Sequence, residues 1–233
     1  RNNLLTGKNL DWMVTEYVKH VDNCFFACVW PIVYDEGKFE KIEEIVQEYG
    51  KIVYSRDVML NQNGMRNFMA QIYGHQTWVG TYEDHFSGVN SKVQPCYSKG
   101  KPTHTIVFTA NNLEDVLNIK QRIRDVYGIE NHSIHISDNI QETRQMADLL
   151  YNANSLHHLN YAIPDMYQTV NARVKDFKEL VCKNEMDLSR FIVDSGSVLE
   201  IYALRPSRDL DYLTDYEISD FPNTEECDNH ISE

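Results

Sequence analysis

Residues 191–213 read FIVDSGSVLEIYALRPSRDLDYL, and this stretch decides how the C-terminal part of the chain is read. Phe191-Ile192-Val193 is a short apolar strand that runs into the turn Asp194-Ser195-Gly196-Ser197. A helix is expected from Val198 to Leu204, followed by Asp209-Leu210-Asp211-Tyr212-Leu213, where carboxylates alternate with apolar side chains. Side chains two apart on a strand face the same side, so Asp209 and Asp211 project together while Leu210 and Leu213 seek the core or the opposite face. Two carboxylates on one face suit a hard cation. Mg²⁺, or Mn²⁺ in its place, takes oxygen ligands, keeps several waters, and is commonly held by one or two carboxylates plus a substrate's phosphates. Gly196 would let backbone amides come close to those phosphates, and Ser197 could donate a hydroxyl hydrogen bond or cap the helix. Arg205 or Arg208 could bind a phosphate through its guanidinium fork. A plainer reading is that Asp209 caps or pairs with one of these arginines, Asp211 sits on a solvated strand edge and Gly196 serves an ordinary turn.

Upstream of this stretch, strand and helix alternate. A polar lead-in and a short helix near Leu10 to Val21 precede Ala27 to Val33, a continuous apolar run read as a buried strand. Phe39, Ile42, Ile45, Val46 and Tyr49 recur at helical spacing up to Gly50, which reads as a C-cap. Lys51 to Val58 alternates like a strand, and Met65 to Tyr73 reads as a helix ending at Gly74. Residues 75–102 contain Gly80, Gly88, Pro95, Gly100 and Pro102 and read as one long loop. Thr105 to Thr109 is a strand. Asn111 with Glu114 forms a capping-box pattern before a helix whose inner face is Leu113, Val116, Leu117, Ile123 and Val126. Gly128 closes that helix. Ser133 to Ile136 is a further strand, and Asp138 with Gln141 again looks like a cap before Met146, Leu149 and Leu150. This alternation predicts an α/β layer with a mostly parallel sheet over residues 24–160. Pro164 marks a boundary, after which a helix from Tyr167 to Lys183 opens a second α/β domain over residues 165–233.

Composition limits the classes of function. The chain has 233 residues and a formal charge of −13, with 42% apolar and 24% charged residues, the profile of an ordinary soluble globular protein. No apolar run approaches the ~18 residues that span a bilayer, so no transmembrane segment is expected. The negative charge repels phosphate backbones and argues against general nucleic-acid binding. Lys120, Arg122 and Arg124 form the densest basic run and read as a solvated helix face. Cys24, Cys28, Cys96, Cys182 and Cys227 are an odd, scattered set, which favours a reducing cytoplasm over a disulfide framework. The chain starts at Arg1 without an export signal and reads as a processed chain or a fragment.

Gly-Ser, eleven intervening residues, then Asp-x-Asp with apolar neighbours resembles the signature of the DNA polymerase β-like nucleotidyltransferase superfamily over about residues 191–213. The resemblance implies a nucleotidyltransferase-like domain in which Gly196 and Ser197 contact nucleotide phosphates while Asp209 and Asp211 bind the catalytic metal. That superfamily supplies a third carboxylate from a later strand. Here Glu217, Asp220, Glu225, Glu226 and Asp228 are available, none in a clear strand, and the domain is expected to be cut short. The run Ser195 to Leu213, with Tyr202-Ala203-Leu204-Arg205 between turn and aspartates, also looks like proteins of bacterial capsule and surface-polysaccharide synthesis, as does Ile134-His135-Ile136-Ser137-Asp138 followed by Glu142-Thr143 and Asn154-Ser155-Leu156-His157. With the related LicD-like phosphocholine transferases, this implies transfer of a phosphoryl-containing group from a nucleotide-activated donor to a sugar or glycan acceptor. Two rivals stand beside it. One is a noncatalytic module, a degenerate transferase domain or an interaction domain within a longer biosynthetic protein. The other is a metal hydrolase built on His132, His135, Asp138, His157 and His158, which is opposed by the three-residue spacing that turns His132 and His135 to opposite faces of a strand.

Overall fold

The computed structural model describes residues 7–216 and 227–229. Its contacts divide the chain into two units, residues 1–79 with 87–160, and residues 80–86 with 161–233.

In the first unit the order is α1 (Gly7–His20), β1 (Cys24–Val29), α2 (Phe39–Tyr49), β2 (Gly50–Val58), α3 (Gln62–Ile72), α4 (Ser87–Val93), β3 (Thr103–Ala110), α5 (Leu113–Tyr127), β4 (Ile134–Ile136), α6 (Ile140–Leu150) and α7 (Ala153–Tyr161). The four strands form one sheet in the order β2-β3-β1-β4. Every neighbouring pair is antiparallel, with Cys24 opposite Thr109, Ala27 opposite Ile136 and Ser55 opposite Ile106. The unit is therefore mixed α and β as expected, but its sheet is not the mostly parallel one expected from the alternation. The strand–helix–strand logic holds for direction and fails for adjacency. β1 and β2 run the same way on either side of α2, but β3 lies between them; β3 and β4 likewise flank α5 with β1 between. Two interleaved split βαβ units result.

The continuous apolar character of β1 has its cause in packing on both faces. Phe25, Ala27 and Val29 of β1 pack with Ile42, Ile45 and Val46 of α2 and Val116, Ile119 and Ile123 of α5. The alternate residues face other helices: the Phe26 ring lies 5.1 Å from that of Tyr151, just after α6, and Thr143 of α6 donates to the Cys24 carbonyl. With helices on both faces, a central strand has no solvent side and loses its polar alternation. Cys24, Cys28 and Cys96 are buried, and Cys182 in the second unit is exposed.

Local signals were displaced by about one residue where two polar candidates stood side by side. The cap of α5 is Asn112, accepting from the Asp115 amide, and that of α6 is Asn139, accepting from the Glu142 amide. Gly128 closes α5 in the left-handed region, at φ 70°. Gly50 is extended and begins β2; a side chain there would place its first carbon 1.9 Å from the Thr109 carbonyl oxygen. The expected loop over 75–102 holds a helix after all, because α4 buries Val89 and Val93 one turn apart. Its Gly88 is packed so closely that a side-chain carbon would meet the Trp78 carbonyl oxygen at 1.7 Å. Among the described residues no helix is long and apolar enough to cross a membrane.

The second unit follows as α8 (Gln168–Lys183), β5 (Phe191–Val193), α9 (Ser195–Ile201), β6 (Leu210–Thr214) and β7 (Cys227–Asn229). β6 is central, antiparallel to β5 and parallel to β7. Leu210 and Tyr212 of β6 pack with Phe177 and Val181 of α8 and with Phe191. Leu213 therefore shares the parity of the aspartates and not that of Leu210, and its strand partner is Ile192.

The inner face of α5 also differs from the expected one. Ile119 is fully buried, whereas Leu113 and Leu117 are 46% and 51% exposed. Replacing Ile119 with Ala is expected to lower unfolding free energy by about 2–5 kcal/mol, against roughly 0.5 kcal/mol or less for Leu117→Ala. Urea unfolding of the two variants measures the contrast; equal losses would contradict this burial pattern.

Candidate functional site

The turn between β5 and the start of β6 gathers most of the residues singled out in the sequence. Asp194 leaves β5 extended and donates its amide to the Asp211 carbonyl at 2.9 Å, tying the turn to β6. Ser195 follows at φ 49°, in the left-handed region that side chains other than glycine seldom occupy. Such strain persists only where surrounding contacts hold it in place. The bend thus sits at Ser195, one residue before the glycine expected to make it.

Gly196 has a different task. Its amide donates to Oδ2 of Asp211 at 2.9 Å, and a side-chain carbon at Gly196 would stand 3.3 Å from that same oxygen. On its open side the nearest groups are Cβ of Ser207, at 3.4 Å from that position, and the Arg205 guanidinium, at 3.7 Å. Ser197 is completely buried and acts as a clasp: its hydroxyl donates to the Asp209 carbonyl at 3.2 Å and accepts from the Asp211 amide at 3.2 Å. Gly196, Ser197, Arg205, Asp209 and Asp211 are therefore neighbours. Asp209 immediately precedes β6 and is half-buried, while Asp211, inside β6, is only 7% exposed. Arg205 is exposed, with one guanidinium nitrogen on the Pro206 carbonyl.

A buried carboxylate that the sequence reading passed over holds the approach to β6. Glu200 of α9 is fully buried and accepts from Thr169 Oγ1, the Val170 amide, and both the amide and hydroxyl of Ser207. The Arg173 guanidinium lies 3.5 Å away and also donates to Ser207. Burial raises the carboxyl's pKa, but the hydrogen bonds from Ser207 and Thr169, with the charge of Arg173, outweigh it, and the net shift is downward. Glu200 thereby joins the start of α8 to the loop that carries Arg205 and Asp209. Its partner at Thr169 is 31 residues away in the chain, so no local pattern announces it.

Of the acidic residues considered for a third carboxylate, Glu217, Asp220, Glu225 and Glu226 lie outside the described residues. Asp228 is on β7, and the parallel register sets its backbone directly opposite Asp211. Among the described residues no cluster of three or more histidine, cysteine or acidic side chains could hold a metal ion. His135, from the rival hydrolase reading, is buried between Tyr73 and Glu142, hydrogen-bonded to both.

No protein-family model matches the chain, and no curated protein matches it. Among solved structures it is similar to the nucleoside diphosphate kinase of Encephalitozoon cuniculi, with a TM-score of 0.37 and 13% identity over 54% of this chain and 86% of that one. A likeness of that extent assigns neither ancestry nor activity.

The depressed carboxyl of Glu200 has a sign that can be tested. Its contribution to stability is complete above the ordinary value of 4.5 and is lost as the pH falls through its lower folded-state value. Unfolding midpoints measured from pH 6 down to pH 3 should fall more steeply in the native chain than in E200Q, which has no proton to take up there. Parallel curves would show that Glu200 is not an acid-sensitive tie.

Proposed function

We propose that the second unit is a nucleotidyltransferase-like module that transfers a nucleotidyl or phosphoryl-containing group from an activated nucleotide to a hydroxyl of a small molecule or glycan, in surface-polysaccharide biosynthesis. The observation that carries this reading is the closure of the Gly-Ser turn onto the Asp-x-Asp strand: the Gly196 amide on the Asp211 carboxylate, and the Ser197 hydroxyl clasping the backbone of both aspartates. The strand-turn-helix-strand order is also what the resemblance implies.

The donor set fits a hard divalent cation. Asp209 and Asp211 supply only oxygen ligands, one half-buried and one nearly enclosed. Asp209 and Asp211 would hold Mg²⁺ or Mn²⁺, which when bound supplies charge neutralisation for the transferring phosphate. The chain's own residues do the positioning. Ser197 fixes the spacing of the two aspartates along β6 through its paired hydrogen bonds. Arg205, exposed beside Gly196, is placed to grip a phosphate through its fork. The lack of a side chain at Gly196 keeps that approach open. The acceptor hydroxyl would attack in line with the leaving group. The acidic chain favours a small or glycan acceptor over a polynucleotide, whose phosphates it would repel.

A noncatalytic interaction module is the second reading, and one observation favours it. The Gly196 amide is already taken by Asp211, as it would be if the carboxylate only capped the turn.

Thermal unfolding with nucleoside triphosphates and CDP-linked donors, each with and without Mg²⁺, separates the two. Ligands that prefer the folded state raise its melting temperature. The transferase reading expects a rise that requires metal, is lost in D209N and D211N, and accompanies a loss of turnover on the order of 100-fold or more. Asn keeps an acceptor oxygen for the Gly196 amide, so both variants should fold. Absence of a metal-dependent rise with every donor, or unchanged turnover in both variants, would sink the transferase reading.

A further inference from the structure

Three cationic side chains of the first unit converge on one cavity of about 450 Å³, within the range of small-ligand sites. Lys120 and Arg124 are four apart on α5 and so share a face; Arg122, between them in sequence, turns away to pair with Glu48. Lys92 comes from α4. The side wall is aromatic, formed by Tyr73 and Trp78 with ring centroids 5.3 Å apart, and Trp78 is 43% exposed.

The charge balance of this cavity is opposite to that of the chain. The sequence carries 35 acidic and 22 basic side chains, yet among the described residues a single carboxylate, Asp138, lies within ion-pair distance of the three cations, on Lys120 at 3.1 Å. Among the described residues Lys92 donates only to the Asn131 carbonyl, at 2.9 Å. Arg124 has its Nε buried with no hydrogen-bond acceptor among the described residues. Burial presses the Lys92 ammonium below its usual pKa, with Cys96 opposing and the charge of Arg124 adding a smaller push in the same direction; burial and Lys92 do the same to His132. Like charges gathered at a concave surface, one with an unmet donor, form an arrangement that a bound anion would relieve.

The floor is already hydrogen-bonded within itself. Burial raises the Tyr73 phenol, so it stays protonated. Glu142 is held ionised: burial opposes this, but its hydrogen bond with His135 and that imidazole's charge prevail. A carboxylate can only accept, so His135 donates from Nε2 to Glu142 at 2.9 Å, and its Nδ1 is hydrogen-bonded with the Tyr73 hydroxyl at 3.0 Å. That leaves Lys92, Arg124, the Trp78 face and the remaining N–H of Lys120, whose ammonium also donates to the Ile136 carbonyl and to Asp138, to meet a ligand.

We propose that this cavity binds a small organic phosphate, its phosphate oxygens taken by Lys92, Lys120 and Arg124 and its ring laid against Trp78. An arginine fork beside two ammonium groups suits the multiple oxygens of a phosphate, and a half-exposed indole suits a base or sugar ring. The ligand is a nucleotide or a sugar phosphate, sharing that chemistry.

Isothermal titration of the full chain in EDTA with uridine diphosphate, glucose 1-phosphate and inorganic phosphate tests this. EDTA removes the metal that the aspartate site of the second unit would need, so binding there is suppressed. One of the two organic phosphates should bind at a single site, more tightly than inorganic phosphate; which one it is tells base from sugar. K92M and R124M should each weaken that binding at least tenfold, and W78A should weaken it while leaving inorganic phosphate unaffected. Circular dichroism and urea midpoints of K92M and R124M should match the native chain, since neither side chain gives up an ion pair among the described residues. D211N should bind as the native chain does, whatever becomes of the transferase reading. The proposal is overturned if neither organic phosphate binds, if inorganic phosphate binds as tightly as both, if K92M and R124M bind unchanged, or if D211N abolishes binding.

Discussion

The Asp211 carboxylate accepts the Gly196 amide across the start of α9, and the second unit is organised around that hydrogen bond. It can form because Leu210 and Tyr212, on the opposite face of β6, are fixed in the apolar core with Phe177 and Val181. A one-residue slip of β6 would exchange the faces, driving carboxylates into that core and leaving the tyrosine outside. Core packing thus sets the register, the register aims Asp211 at the turn, and the Ser197 hydroxyl then spaces Asp209 from it through the backbone. Glu200 stabilises the same geometry from behind, gathering Thr169, Arg173 and Ser207 about a buried charge. A buried carboxylate with so many donors is costly to leave half-satisfied, so the loop carrying Arg205 has little freedom to move independently.

What could be read from the sequence followed the range of the forces involved. Helices α2 and α5 were legible because their apolar residues recur at 3.6-residue spacing and Gly128 closes α5 in a backbone region that glycine enters freely. Caps at Asn112 and Asn139 were each placed one residue early, since Asn111 and Asp138 carry equally suitable side chains and only the folded turn chooses between them. Sheet direction failed for a non-local reason. Whether β3 inserts between β1 and β2 depends on pairing across more than fifty residues, and helices on both faces hid the alternation that would have marked antiparallel strands. The neighbourhood of Gly196, Ser197, Arg205 and Asp211 was legible because turn, helix and strand are contiguous. Glu200 was not, because its ties to Thr169 and Arg173 lie far along the chain. Lys120 and Arg124 were visible only as part of a basic run; counting four residues along a helix separates them from Arg122.

The two units use charge in different ways. In the second, acidic groups are drawn together and steadied by backbone amides and hydroxyls. In the first, basic groups line a concavity above a closed tyrosine-histidine-glutamate chain. An overall charge of −13 conceals both, since the sum of charges says little about where a field is concentrated.

Burial of β1 also makes its sulfur chemistry dormant. Cys24 and Cys28 lie within the sheet, the first with its thiol pushed up to about 12 and the second well above its ordinary value, and Cys96 is pushed up to about 11. Thiolate is the reactive form, so at neutral pH these three sulfurs resist alkylation and oxidation while the exposed Cys182 does not. Cysteine therefore acts as an internal gauge of integrity in the first unit: a maleimide reagent finds Cys24 and Cys28 only in molecules whose sheet has come apart.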